Sequence, residues 1–130
     1  MDVKVKATLV ADNVEWTIDG KKPKQSVLTV APKSGAVKMD FKLNDHSGRD
    51  LRFDTSDPIW ILETEQDMCP GPGSTSDQIS VAECDNKRLS IVNANSGAAR
   101  TLHYQLNFVD GDGAPEVVDP IIKNGGNTFV

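Results

Sequence analysis

In the stretch Ala36 to Leu43, Val37, Met39, Phe41 and Leu43 fall at every second position, with Lys38, Asp40 and Lys42 between them. Successive side chains point to opposite sides only on a strand, whereas on a helix this spacing would mix apolar and charged residues on every face. The alternation recurs along the chain. Val3, Val5, Ala7 and Leu9 alternate with Lys4, Lys6 and Thr8, and Val14, Trp16 and Ile18 with Glu15, Thr17 and Asp19. Near the C-terminus, Leu102, Tyr104, Leu106 and Phe108 are expected inward, with His103, Gln105 and Asn107 outward. No stretch carries apolar residues at helical spacing over several turns.

Further strands are expected over Ser26 to Ala31, Leu51 to Asp54 and Ile59 to Leu62, around Ile79 and Val81 and around Leu89 and Ile91, and over Glu116 to Ile122. Turn residues separate them: Asp19-Gly20, Pro32 to Gly35, and Asp110 to Gly113. Gln66 to Asp77 contains Pro70, Gly71, Pro72 and Gly73 and reads as a long loop. Short strands with frequent turn signals mark a sandwich or small barrel. The expected fold is therefore all-β, a single antiparallel β-sandwich of immunoglobulin-like or cupredoxin-like type with about eight to ten strands. Residues 1–130 are expected to form one domain. The lysines of the first strand place it near a sheet edge, and Trp16 and Trp60 should both lie in the core.

Composition narrows the function classes. With 130 residues, 38% of them hydrophobic and 25% charged, the chain can build one core without metals or disulfides. The net charge is −5, and residues 66–130 carry only 4 Lys and Arg against 8 Asp and Glu. Phosphate backbones are bound by clustered cations, so nucleic acid is not an expected partner. No apolar run reaches the length of a membrane span, so a membrane is not expected either. Met1 to Val10 lacks the pattern of a secretory signal, and a cytoplasmic location is the expectation. Cys69 and Cys84 fit no CxxC spacing and are expected to be free thiols.

Several residues could carry chemistry. His46 lies in a polar loop and His103 on a polar strand face, and neither neighbours a nucleophile elbow, a zinc helix or a phosphate loop. No enzyme is expected. A copper site would need Cys, His and Met close together on one late loop, and no Met follows Met68. A zinc site from His46, Cys69, Cys84 and His103 would draw on scattered ligands. The segment VDGDGAPEVV, Val109 to Val118, resembles the calcium loops of integrin-like propeller repeats, although Phe108 stands where an acidic ligand belongs. Asp110, Asp112, Glu116 and Asp119 are the candidate calcium ligands. The competing reading is a hairpin turn in which Asp and Gly tolerate positive φ.

From Phe41 onward the chain resembles a group of small bacterial β-sandwich proteins of uncharacterised function. The resemblance rests on FKL at Phe41 to Leu43, PIWI at Pro58 to Ile61, CP at Cys69-Pro70, LSIVNAN at Leu89 to Asn95, YQLNF at Tyr104 to Phe108, and DPIIKNGG at Asp119 to Gly126. It implies the sandwich and brings no activity, cofactor or partner with it. The expectation is a non-catalytic accessory or protein-interaction module without a cofactor. The alternative is a metal-binding module, for calcium before zinc or copper. The segment Asn124 to Val130 is a candidate element for pairing with a protein partner or with a second copy.

Overall fold

The computed structural model describes residues 1–126. Eleven strands account for nearly all of its regular structure: β1 (Asp2–Val10), β2 (Asn13–Ile18), β3 (Val27–Val30), β4 (Val37–His46), β5 (Arg52–Phe53), β6 (Ile59–Glu63), β7 (Ile79–Cys84), β8 (Arg88–Asn93), β9 (Arg100–Val109), β10 (Pro115–Val118) and β11 (Ile121–Asn124). A single 3-10 turn, Pro23–Gln25, precedes β3, and no α-helix occurs among the described residues. No helix there is long and apolar enough to cross a membrane.

The strands form two sheets packed face to face. The first has the order β2-β1-β4-β8-β7. The second is built around β9. Leu106 pairs at once with Ile59 of β6 and Val118 of β10, so β6 and β5 run along one side of β9 and β10 and β11 along the other. Strand β3 lies beyond β11.

The all-β sandwich is as expected, with two differences in detail. The sheets are mixed, because β1 runs parallel to β4 and β11 parallel to β3. Alternation reveals that a strand has two faces but not which way its neighbours run. The expected strand Glu116 to Ile122 is two strands, broken at Asp119-Pro120, where the chain passes from beside Leu106 to beside His103. Strand β1 is near an edge, as expected, but does not form it. It lies between β2 and β4, and its lysines sit on a solvated face.

The core lies between the sheets. Val3, Val5, Met39, Phe41, Leu89 and Ile91 from the first sheet meet Phe53, Ile61, Leu102, Tyr104, Leu106 and Phe108 from the second, each 3% exposed or less. Such side chains contribute roughly 1.5 to 3 kcal/mol each when fully buried. Phe108 is sandwiched between Trp16 and Phe53, with both ring centroids 4.5 Å away, and Phe41 tilts against Tyr104 at 5.6 Å. Leu9, expected on the core face, is 43% exposed, one pair from the turn of the β1–β2 hairpin.

A polar latch closes one end of the sandwich. Asn93 on β8 and Asn124 on β11 exchange side-chain hydrogen bonds across the layers. Next to them, Asn95 donates to Ala31 O and Ser34 Oγ and accepts from Gly126 N. Gly125 packs so closely on Pro32 that a Cβ there would lie 2.4 Å from the proline nitrogen. The NAN and NGG segments of the sequence thus form one inter-sheet contact.

Candidate functional site

The four candidate calcium ligands do not converge. Asp110 is 7% exposed, and its Oδ1 accepts from Asp112 N and Ala114 N, both at 2.9 Å. Asp110 N donates to Ala114 O and Gly113 N to Asp110 O, and Gly113 has φ +82°. The turn closes on itself, with the carboxylate of Asp110 occupied by its own backbone. Glu116 stands opposite Phe108 in the ladder, while Asp119 lies past the far end of β10 beside Cys69. Among the described residues, no three His, Cys, Asp or Glu side chains gather as a metal site.

The zinc set is equally divided. His46 is exposed at the end of β4, and Cys84 sits on β7, both in the first sheet. Cys69 and His103 lie at the second sheet. Both cysteines are free thiols.

The two sheets differ in what they turn outward. In the first, the outer face carries Lys4, Lys6, Thr8, Glu15, Thr17, Lys38, Asp40 and Lys42, the solvated surface that alternation predicts. In the second, β9 turns Thr101, His103, Gln105 and Asn107 outward, and all four are buried, between 6% and 9% exposed. They belong to the polar face, as expected, but that face is covered. Trp60 and Leu62 flank the row from β6, and Ile121 flanks it from β11. Asn107 Nδ2 donates to Asp57 O and Gln105 Nε2 to Asn107 Oδ1, so the row is knitted to the loop before β6. Trp60 is therefore not a core residue. It is half-buried on the outer face, with Nε1 donating to Asp57 Oδ2 at 2.8 Å.

The loop of residues 64–78, which carries the chain from β6 to β7, forms one wall of a cleft of about 430 Å³ against this face. Pro70, Met68 and Cys69 line it from the loop, His103 and Thr101 from β9, and Asp119, Pro120 and Ile121 from the β10–β11 junction. Lys24, from the 3-10 turn, and Lys123 also line it. Thr101 Oγ1 donates to Glu65 Oε2 at 3.2 Å, which ties the loop to the sheet.

Three groups in the cleft bear on its chemistry. Cys69 Sγ donates to Asp119 Oδ2 at 3.6 Å. The charge of Asp119, then burial, then this hydrogen bond push the thiol above its usual range. A thiol held protonated is a poor nucleophile. Burial also raises the carboxyl of Asp119, opposed by the hydrogen bond from Cys69 and the charge of Lys24. Its second oxygen, Oδ1, is buried with no hydrogen-bond partner among the described residues. His103, 8% exposed, has no side-chain hydrogen bond among the described residues. The cleft thus offers unused hydrogen-bonding groups without an activated nucleophile.

Sequence reasoning grouped Cys69 and His103 in the zinc set and Asp119 in the calcium set, and did not bring the three together. Their meeting depends on the break at Pro120, which the proline itself signals, and on the crossing of the 64–78 loop, a tertiary fact with no local signal. Lys24, Glu65 and Thr101 were missed for the same reason. Against known proteins, no family model matches the chain, and no curated protein gives a significant match.

Proposed function

We propose that the protein is a non-catalytic interaction module that docks a segment of a partner protein on the outer face of its second sheet. The observation that carries this reading is the cleft on the second sheet's outer face, enclosed between the buried polar row of β9 and the 64–78 loop. The outer face of the first sheet is chiefly lysine, threonine and carboxylate side chains, with Val10 at its end 47% exposed and Leu9 and Val81 elsewhere on that sheet 43% and 48% exposed. The second exposes Val27, Met68 and Val117 at 41%, 49% and 45%, beside half-buried Trp60, Leu62 and Ile121. Exposed apolar side chains around a concave, hydrogen-bonding surface are typical of recognition sites.

Charge gives the partner its character. Residues 63–77 carry Glu63, Glu65, Asp67 and Asp77 and no Lys or Arg, and Asp119 adds a carboxylate in the cleft. Arg100 meets Glu63 and Asp77, leaving Glu65 and Asp67 toward the cleft. A basic, partly apolar segment complements this rim.

A photo-crosslinking residue placed at Met68, compared with one at Lys42 on the opposite face, tests the assignment in cells. The expected result is a discrete crosslinked partner from Met68 alone, competed away by excess unlabelled protein but not by an Ile121→Lys variant. Equal trapping from both faces, or equal competition by the variant, contradicts it.

A further inference from the structure

We propose that the cleft under the 64–78 loop is a site for a primary alkylammonium group, carried by a lysine side chain or a free amine and anchored on Asp119. The inference rests on the reading of this face as the docking surface and gives it a chemistry.

The unpartnered oxygen is the first reason. Asp119 Oδ2 accepts from Cys69, whereas Oδ1 is buried with no donor among the described residues. A carboxylate oxygen removed from water and left unpaired is costly, and a charged donor compensates it best. The second reason is independent of the first. His103, more than nine-tenths buried, lines the same cleft and has no hydrogen-bond partner among the described residues. A neutral imidazole has one acceptor nitrogen, so it too can receive an N–H. An ammonium with three donors can use both groups.

The walls suit the rest of such a ligand. Pro70, Pro120 and Ile121 supply apolar surface for a methylene chain, and Asp67 adds negative charge to the border. The phosphate and carboxylate ligands that Lys24 and Lys123 would attract meet Asp119 instead.

Lys24 has a second role under this proposal. Its charge is felt at both Asp119 and Cys69, yet it forms no ion pair among the described residues. It is a tethered ammonium beside a site for ammonium groups, and so a competitor for it.

Amide NMR titration of the intact protein with n-pentylamine, with lysine blocked at both ends, and with n-pentanol tests the assignment. Saturable shifts centred on Thr101 to His103 and Asp119 to Ile121 are expected with the amine. Blocked lysine binding as well assigns the site to lysine side chains, whereas binding of pentylamine alone assigns it to free amines. Asp119→Asn should weaken binding by about tenfold or more, and Lys24→Gln should tighten it. Pentanol binding as well as the amine, an unchanged affinity in the Asp119→Asn variant, or no saturable shift with either amine overturns the proposal. None of these results touches the crosslinking test of the docking face, so the two claims fail separately.

Discussion

Asn93 of β8 and Asn124 of β11 face each other between the sheets and exchange two side-chain hydrogen bonds of 2.7 Å, with exposures of 0% and 3%. Each amide satisfies the other where no water reaches, so the pair fixes the relative position of the layers as well as adding stability. Asn93 Oδ1 also accepts from Asn95 N, which carries the contact on to Gly126 through Asn95 Oδ1.

Removing one partner strands the other's buried side-chain amide, whereas removing both leaves neither side chain stranded, although Asn95 N loses its acceptor whenever Asn93 is replaced. Asn93→Ala and Asn124→Ala should each cost about 2 kcal/mol, and the double variant should cost less than their sum by about 1 kcal/mol. Urea unfolding of the four proteins measures this coupling. Strict additivity would mean that the amides act separately.

The latch also shows where the sequence was legible. Alternation identified the strands because a two-layer sheet protein must bury one face of each. Val37 to Leu43 and Leu102 to Phe108 were readable to the residue. The NAN and NGG segments stood out by resemblance, but their pairing was hidden because Asn93 and Asn124 lie 31 residues apart. The outer face of β9 misled for a physical reason. His103, Gln105 and Asn107 are polar and outward, as read, yet flanking Trp60, Leu62 and Ile121 and the crossing chain cover them. Polarity in a strand predicts direction, not exposure. The DGDG turn was readable as a turn, and its oxygens are used as turn chemistry requires.

The β1–β2 hairpin closes through Ala11 and Asp12, both at positive φ, +48° and +66°. Two-residue hairpin loops of this kind favour Asn-Gly. The left-handed conformation costs an ordinary L-residue roughly 1 to 2 kcal/mol. The combined Ala11→Asn, Asp12→Gly variant should therefore gain about 1 kcal/mol in chemical denaturation. An unchanged midpoint would show that the turn holds no strain that Asn-Gly relieves.

Tyr104 is wholly buried, and its hydroxyl has no hydrogen-bond partner among the described residues. Burial, followed by the charge of Asp19, raises its pKa well above the usual value. The ring packs on Phe41, so Tyr104→Phe keeps the packing and deletes only the stranded polar atom. The variant should be as stable as wild type or more stable by about 1 kcal/mol. A loss of that size in thermal or urea unfolding would reveal a partner for the hydroxyl.

Asp119 tests the central claim, that the cleft is kept for binding at the expense of stability. Its folded pKa is raised, chiefly by burial, so its contribution to stability is fully present below the ordinary carboxyl value of 3.8 and is lost as pH rises through the folded value. Asparagine stays neutral throughout and escapes that loss. The decisive measurement is the unfolding free energy of Asp119→Asn against wild type from acid to neutral pH. The account predicts that the variant is more stable at neutral pH, by up to about 1 kcal/mol once solvent screening of a half-exposed group is allowed for, and that the advantage disappears below the ordinary carboxyl range. A variant less stable than wild type at neutral pH would make Asp119 a structural anchor and contradict the claim.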